Sequence, residues 1–381
     1  MAAADPLQIL GAHLPPPPKG RTFVAAAGKA AASMALAVEQ HWPAPLEGIA
    51  VTRYRHGLPT QRIRVIEAGH PVPDEAGERA AAQILESASR LEPEDLLLVL
   101  ISGGGSSLLS LPAPGVTMSA LKALTSQLLR SGADIREMNT VRKHLSAIAG
   151  GRLATASRAP VVALIISDVV GDDPTHIASG PCAADPTTTD DAKAILARYG
   201  IEFRGPFSES PKSVKATNKV IATAYRSLEA AAGVFRRQGI RAQILGDDIT
   251  GEAREVGREM AALARRTKGP AALISGGECT VTIQDSPENE GGRGGRCSEF
   301  LLSLGIETGG IWAIAADTDG IDGSEDNAGA ILTPDSMKEG RDAAAFLARH
   351  DSYGFFSALG DLVVTGPTRT NVNDFRAILV P

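Results

Sequence analysis

The chain has 381 residues, of which 43% are hydrophobic and 22% charged, a composition typical of globular proteins and unlike that of disordered or fibrous ones. At roughly 150 residues per domain, this length suggests two domains. The net charge of −6 argues against binding to nucleic acid or acidic lipid, and no apolar run reaches the length of a membrane span. Three widely spaced cysteines argue against a disulfide framework or a zinc site, and they favour a reducing cytoplasm.

The first predicted elements are a strand at residues 21–27, a turn at Gly28 and an alanine-rich helix at residues 29–40. The same order recurs at residues 96–101, where a wholly apolar run is followed by a glycine-rich turn. A strand without polar residues is typical of a parallel sheet that is covered on both faces. These two segments therefore predict two strands of an α/β sheet, each followed by a glycine turn.

Further along the chain, strands and helices keep alternating. Helices are predicted from Thr117 or Ser119 to Gly132, at residues 139–149, at 226–238 and at 251–267, and strands at 161–167, 241–245, 271–274 and 311–315. This alternation predicts an α/β fold with a mainly parallel sheet.

The two halves of the chain resemble each other in one respect. A strand followed by Ser-Gly-Gly occurs at Ser102 and at Ser275, and each is later followed by a strand that ends in aspartates, at Asp168 and at Asp317. Either the chain contains two similar α/β halves or the similarity is due to chance. With a boundary between residues 235 and 245, we expect one α/β domain at 1–238 and a smaller α/β domain at 239–381.

The turn after the second strand is a candidate anion site. We call it the glycine–serine loop, and it consists of Ser102, Gly103, Gly104, Gly105, Ser106 and Ser107. In open α/β sheets ligands bind beyond the carboxyl ends of the strands, and consecutive backbone N–H groups there can hold phosphate or carboxylate. A glycine turn that serves only chain geometry is the alternative. We favour the anion site because three serines accompany the three glycines.

Charged residues follow several of these strands. Lys29 begins a predicted helix, where the dipole disfavours a cation unless a bound anion compensates. Asp168, Asp317 and Asp319 supply carboxylates suited to Mg²⁺, although aspartate is also common in turns. Arg293, within the glycine-rich run 291–296, is placed to neutralise a transferring phosphoryl group.

Two residues of the predicted helix at 139–149 also carry positive charge. Arg142 and Lys143 are candidates for binding a substrate carboxylate, with a solvated helix face as the alternative. Known nucleotide signatures do not match. Phe23 occupies the first glycine of a P-loop, and Leu108 stands where a dinucleotide fingerprint needs its third glycine.

Several motifs, taken in order, resemble the glycerate 2-kinase family with a C-terminal MOFRL domain. They are Gly28-Lys29-Ala30-Ala31, residues 69–74 (GHPVPD), 102–106 (SGGGS), 139–146 (NTVRKHLS), 179–181 (SGP), 292–296 (GRGGR), 317–323 (DTDGIDG) and 365–368 (TGPT). The resemblance extends from about residue 20 to the end of the chain. It implies ATP-dependent, Mg²⁺-requiring phosphorylation of D-glycerate to 2-phosphoglycerate, in a cleft between a Rossmann-like domain and the MOFRL domain.

The resemblance also implies roles for individual residues. Lys29 and Arg293 would stabilise the transferred phosphoryl charge, and Asp168 with Asp317 or Asp319 would bind Mg²⁺ or accept the hydroxyl proton. The glycine–serine loop, with Glu278, is expected to contact the nucleotide, although a substrate carboxylate on this loop is the alternative. The remaining expected substrate contacts are Asn139, Arg142 and Lys143.

The chain departs from the family pattern after the glycine–arginine run. Cys297-Ser298-Glu299 stands where Asn-Gln-Glu is common, so two amide side chains are lost. Two other functions stay open at this point: an NAD(P)H-dependent hydroxypyruvate reductase, a label that family members have also carried, and a binding protein without turnover. The sequence leaves the oligomeric state open, with a homodimer as one candidate.

Overall fold

A computed structural model of the chain describes residues 2–283, 292–338 and 342–381, so Gly291 of the glycine-rich run lies outside the described residues. The chain divides into two compact units, Ala2–Ala222 (the first unit) and Thr223–Pro381 (the second unit). This division precedes the predicted boundary at residue 238 by one helix. That helix, Ala224–Arg237, packs against strands of the second unit and therefore belongs to it.

The first unit contains one six-stranded parallel sheet. Its strands are β1 (Thr22–Ala27), β2 (Leu46–Arg53), β3 (Ile63–Ala68), β4 (Leu96–Ile101), β5 (Val161–Ile166) and β6 (Thr217–Ala222). They lie in the order β3-β2-β1-β4-β5-β6, which is that of Rossmann-type doubly wound sheets. β1 and β4 are buried along their whole length, as the apolar runs predict for central strands with helices on both faces.

Helices and short turns connect these strands. The helices are α1 (Pro6–Ile9), α2 (Ala31–His41), α3 (Glu75–Ser89), α4 (Gly105–Leu108), α5 (Met118–Arg130), α6 (Ile135–Lys143), α7 (Arg152–Ala156) and α8 (Thr189–Arg198), with 3-10 turns at Ala2–Ala4, Leu10–His13 and Ile177–Ser179. The Thr117 hydroxyl caps α5 by accepting a hydrogen bond from the Ala120 N–H, as predicted.

The predicted helix at 139–149 is wrong in its bounds. α6 begins four residues earlier because Asp134 and Glu137 form a capping box at its start. It ends at Lys143 because the following backbone pairs elsewhere: the Ala113 N–H donates to the Leu145 carbonyl, and the Ala147 N–H donates to the Leu111 carbonyl. Asn139 therefore lies inside the helix and not at its start.

The second unit contains a mixed six-stranded sheet; the sequence predicted α/β structure here and left the strand directions open. Its strands are β7 (Arg241–Gly246), β9 (Ala271–Gly277), β11 (Trp312–Asp317), β12 (Gly329–Leu332), β13 (Leu362–Val363) and β14 (Asp374–Val380), and β8 (Gly251–Glu252) pairs separately with β10 (Cys279–Thr280). The order is β13-β12-β11-β14-β9-β7, with only β7 and β9 parallel. The two units are therefore not repeats of one topology.

Two helical layers cover this second sheet. The helices are α9 (Ala224–Arg237), α10 (Ala253–Arg266), α11 (Arg296–Thr308), α12 (Ala343–Ala348) and α13 (Ser352–Leu359). α10 and α11 share one apolar core with one face, and α9 packs on the other face through Leu228 and Ala232. Because β14 separates β9 from β11 and is antiparallel to both, β9 and β11 end at the same edge. None of the helices in the described part of the chain is long and apolar enough to cross a membrane.

Candidate active site

The strand order of the first unit creates a crevice between β1 and β4. The sheet continues outward from β1 through β2 and from β4 through β5, so connections leave these two central strands in opposite directions. Ligands of doubly wound sheets bind at this switch point, beyond the carboxyl ends of the strands. Lys29 follows β1 and the glycine–serine loop follows β4, so the fold brings two predicted site elements together.

Backbone contacts hold the two turns against each other. The Lys29 N–H donates to the Gly103 carbonyl at 2.8 Å, and the Ala30 N–H donates to the Ser102 hydroxyl at 3.0 Å. Gly28 has a φ of +129°, and a Cβ there would lie 2.2 Å from the Ser102 hydroxyl oxygen. Ser102 is fully buried. The Ser102 hydroxyl thus has a structural role, as the acceptor of the Ala30 hydrogen bond. The other residues of the loop remain the candidates for the predicted ligand contact.

Gly104 lies where two side chains approach the loop. It has a φ of +80°, and a Cβ there would lie 2.8 Å from His70 Nε2 and 3.4 Å from Lys29 Cγ. The absence of a side chain therefore lets His70 and Lys29 pack close to the loop backbone. His70 was not selected as a site residue, although it lies in the 69–74 motif. Its signal in the sequence was its position just after β3.

The rest of the loop forms the one-turn helix α4, so the long helix expected to add its dipole is absent. The Ser107 hydroxyl donates to the Gly104 carbonyl at 3.1 Å, which closes the turn. The Ser106 hydroxyl lies 2.9 Å from the Ser179 hydroxyl, and Ser179 Oγ lies 3.5 Å from Asn139 Oδ1. Asn139 therefore reaches the loop through Ser179, a residue that the sequence analysis did not select.

Lys143 is placed differently from the prediction. Its side chain is buried, and its Nζ lies 3.3 Å from Asp185 Oδ1. Burial raises the pKa of Asp185, but Lys143 and hydrogen bonds from Thr187 outweigh this effect and hold the pKa below its ordinary value. Because Lys143 is ion-paired inside the first unit, the position of its side chain does not support a contact with substrate.

Arg142 is the more suitable anion ligand of the two. Its side chain is partly exposed, and burial of the guanidinium lowers its pKa. Within the described ranges, no carboxylate forms an ion pair with it. A cation that is partly desolvated and not neutralised by the protein favours an anionic ligand.

Asp168 comes two residues after the end of β5, which lies beside β4. Its carboxylate is therefore at the same sheet edge as the glycine–serine loop. The side chain is only partly buried. Its position is compatible with the predicted roles in metal binding or proton transfer.

In the second unit, Arg296 forms ion pairs with two of the predicted site carboxylates. Its guanidinium donates to Asp374 at 2.8 Å, to Asp317 at 2.7 Å and to Glu278 at 2.9 Å. Burial lowers the pKa of Arg296, but the three carboxylates outweigh this and raise it far above its ordinary value. Asp317 and Glu278, predicted as catalytic and nucleotide-binding residues, are thus both ion-paired to one arginine that the sequence analysis did not select.

Asp319 and Arg293 occupy different environments in this unit. Asp319 is buried, and its Oδ1 accepts a hydrogen bond from the Ile321 N–H at 2.9 Å. Arg293 is half exposed, with its guanidinium carbon 5.0 Å from the centre of the Tyr353 ring and its Nε 3.9 Å from Asp351. Arg293 therefore keeps a solvent-facing positive charge on a fixed aromatic support.

The family departure at Cys297 and Ser298 lies at the start of α11. Both residues are buried, and their N–H groups donate to the Asp322 carboxylate at 2.9 Å and 2.8 Å. The Ser298 hydroxyl also donates to it at 2.7 Å. Burial raises the pKa of Asp322 to about 6, although these hydrogen bonds oppose the shift. The two substituted positions therefore hold the helix start and do not line an open surface.

The described residues contain no group of three or more His, Cys, Asp or Glu side chains arranged to hold a metal ion. A magnesium ion commonly takes only one or two protein carboxylates and completes its shell with phosphate oxygens and water. Asp168, partly exposed at the ligand edge, fits this requirement. Asp319 supplies a carboxylate in the second unit.

The fold and site thus define a two-unit α/β protein whose first unit has a crevice between β1 and β4. Two family models match the chain: a domain of unknown function, DUF4147, over residues 1–221, and the MOFRL family over residues 271–374. A glycerate 2-kinase of Pyrococcus horikoshii is 41% identical, with 95% of this chain and 88% of that protein covered. A D-glycerate 2-kinase of Thermotoga maritima is 40% identical, with 93% and 89% covered.

Two further comparisons also cover the whole chain. The crystal structure of a glycerate kinase from Thermotoga maritima has a TM-score of 0.90 at 38% identity and covers 100% of this chain and 96% of that one. A protein of Agrobacterium vitis named as a putative hydroxypyruvate reductase is 52% identical over 100% of this chain and 92% of that protein. The chain belongs to the glycerate 2-kinase family, with an N-terminal DUF4147 domain and a C-terminal MOFRL domain. The resemblance seen in the sequence is confirmed.

Proposed function

We propose that this protein is a D-glycerate 2-kinase that transfers the terminal phosphoryl group of ATP to the 2-hydroxyl of D-glycerate. The observation that carries the proposal is the meeting of Lys29 with the glycine–serine loop at the switch point of the first sheet. A fixed cation beside backbone N–H groups suits a phosphoryl group in transfer, because most of the catalysis of this reaction comes from positioning and charge. The relationship to named glycerate kinases supports the same reaction.

The first unit supplies the anion contacts in this proposal. N–H groups of the glycine–serine loop and the Ser106 hydroxyl bind either the nucleotide phosphates or the glycerate carboxylate. Lys29 stabilises negative charge on the transferred group, and Arg142 binds the other anion. Asp168 accepts the proton of the 2-hydroxyl or serves the metal ion.

Arg293 of the second unit acts in the same reaction as a second cation, since its charge faces solvent from a stacked position. Asp317 and Glu278 have a supporting role, because both are already ion-paired to Arg296. We assign Mg²⁺ to Asp168 or Asp319 together with nucleotide phosphates. When bound, the ion would offset charge on the phosphate oxygens.

The test is phosphorus NMR of the purified protein with D-glycerate, ATP and MgCl₂. We expect a 2-phosphoglycerate resonance that is lost when EDTA is present. Formation of 3-phosphoglycerate would reject the position of transfer and keep the kinase. If no phosphorylated product formed while NADH was oxidised with hydroxypyruvate, the protein would be a reductase and the proposal would be wrong.

Substitution of the two cations tests their roles. Removing one well-placed charge typically costs about 3 to 4 kcal/mol of transition-state stabilisation, so Lys29→Ala and Arg293→Ala should each lower kcat by a hundredfold or more. Lys19→Ala, at an exposed position of the same unit, is the control for Lys29. Arg349→Ala is the control for Arg293, because Arg349 also stacks on an aromatic ring, at 4.9 Å from Phe346. Turnover within a factor of three of the control would remove that residue from the site.

A further inference from the structure

Three consecutive residues beside the glycine–serine loop have left-handed backbone conformations. The φ angles are +51° at Ala178, +59° at Ser179 and +60° at Gly180. Only the third is glycine, and residues with a Cβ rarely adopt this conformation because Cβ crowds the carbonyl oxygen. Such outliers persist only where the surrounding structure enforces them, and they concentrate at functional sites.

The surrounding backbone fixes this segment from two sides. The Gly150 N–H donates to the Ser179 carbonyl at 2.9 Å, and the Gly151 N–H donates to the Gly180 carbonyl at 2.7 Å. Within the segment, the Ser179 N–H donates to the His176 carbonyl at 3.2 Å. The unfavourable conformation is therefore held by hydrogen bonds to a separate part of the chain.

The segment is packed directly on the loop. A Cβ on Gly105 would lie 2.5 Å from Ala178 Cβ, so the two backbones are in close contact. The Ser179 side chain is buried, with its hydroxyl 2.9 Å from the Ser106 hydroxyl and 3.5 Å from Asn139 Oδ1. The left-handed backbone thus places the Ser179 hydroxyl on the interior side of Ser106.

The hydrogens of these hydroxyl groups limit what Ser106 can do. Ser179 has one hydroxyl hydrogen and two oxygen neighbours, Asn139 Oδ1 and Ser106 Oγ. When Ser179 donates to Asn139, Ser106 must donate to Ser179 and has no hydrogen left for a ligand. When Ser179 donates to Ser106, the hydrogen of Ser106 is directed away from Ser179 and is available to an anion. The contact with Ser106 is the shorter of the two, at 2.9 Å against 3.5 Å, so Ser106 is the better-placed acceptor for the Ser179 hydrogen.

We propose that Ser179 is a positioning residue whose hydroxyl orients Ser106 as a hydrogen-bond donor to the anionic group on the glycine–serine loop. The ligand is the phosphate of the nucleotide or the carboxylate of the hydroxy acid, both of which accept this hydrogen bond. The inference rests on the proposed function for its kinetic consequences. Its structural part, the contact between Ser179 and Ser106, does not depend on which reaction occurs.

Replacement by glycine separates the two roles of this residue. Ser179→Gly removes the hydroxyl and also relieves the left-handed conformation, so we expect an unfolding midpoint equal to or above that of the wild type. KM for one of the two substrates, ATP or D-glycerate, should nevertheless rise about ten- to a hundredfold, the loss typical of one hydrogen bond to a charged group. KM for the other substrate should stay within a factor of two. Ser179→Ala should show the same rise in KM without the gain in midpoint.

Arg55→Gly is the matched control, because Arg55 is an exposed residue of the same unit with a φ of +66°. It should keep both KM values. Wild-type KM values in Ser179→Gly, or a loss of activity that follows a lowered unfolding midpoint, would overturn the inference.

Calorimetric titration of the wild type and Ser179→Gly with MgATP, pyrophosphate and D-glycerate separates this inference from the proposed function. Weaker binding of one of these to the variant would support the positioning role even if the wild type formed no product. Absence of product with equal binding of all three, or with no binding to the wild type, would reject both.

Discussion

Replacing Lys143 by methionine tests whether this buried lysine serves the fold or the ligand. The side chains of Lys143 and Asp185 are 2% and 0% exposed, and their charged atoms are 3.3 Å apart. Lys143→Met leaves the Asp185 carboxylate buried without its counter-ion, and Asp185 Oδ2 already has no hydrogen-bond partner in the described structure. Breaking a buried ion pair from one side typically costs about 3 to 5 kcal/mol.

In a unit of this size, 1 kcal/mol corresponds to a shift of about 2 to 4 °C in the unfolding midpoint, so we expect a decrease of about 6 to 20 °C. The double variant Lys143→Met, Asp185→Asn removes both charges and keeps an oxygen to accept the hydrogen bonds from Thr187. It should recover most of the lost stability, since replacing both members of a buried pair is often close to neutral.

Thermal unfolding and steady-state kinetics of the two variants, each measured well below its midpoint, distinguish the roles. If Lys143 only holds Asp185, the double variant regains both stability and the wild-type KM for D-glycerate. Recovery of stability with a KM still raised tenfold or more would refute this reasoning and return Lys143 to the substrate contacts.

Two further predictions concern Gly28 and Asp322. Gly28→Ala should destabilise the first unit by about 2 to 4 kcal/mol and reduce turnover, because its φ is +129° and the new methyl group would lie 2.2 Å from the Ser102 hydroxyl. The control is Gly132→Ala, which should cost only about 1 kcal/mol because its φ is +79° but nothing lies within 4 Å of the new methyl group. Equal losses of stability in urea unfolding of the two variants would contradict the steric argument. Because burial raises the pKa of Asp322 from 3.8 to about 6, this carboxyl contributes stability that is present below pH 3.8 and is lost as the pH rises through 6, by about 3 kcal/mol in all. The unfolding midpoint of Asp322→Asn should lack this part of the pH dependence between pH 3.8 and 6, and parallel profiles for the variant and the wild type would disprove it.

Much of the architecture of the first unit was predictable because its signals are local. The apolar run at Leu96–Ile101 coincides with β4, and the Thr117 cap starts α5 as expected. Lys29 and the glycine–serine loop were predicted to follow strands, and the structure pairs those two strands in parallel, so both loops lie at the same edge of the sheet. Periodicity, caps and glycine turns are read from a few adjacent residues, so these conclusions needed no knowledge of distant contacts.

The second sheet was predicted less well. Its antiparallel partners β12, β13 and β14 were missed, and β14 joins Asp374 to Asp317 across a long stretch of sequence. The direction in which such strands pair is set by the path of the chain between them and by which faces they bury. Local patterns contain little of that information, since a short apolar strand has the same composition in either orientation.

The sequence by itself determined the alternating α/β order, the chemical types gathered at the strand ends and the family to which the chain belongs. Only the tertiary structure decided which charged groups face ligands. Lys143 is ion-paired with Asp185, and Arg296 is ion-paired with Asp317 and Glu278. The Ser179 hydroxyl lies between Asn139 and Ser106 and contacts both. The physical reason is that burial and pairing set the availability of a charge, and both depend on residues that are remote in sequence and adjacent in space.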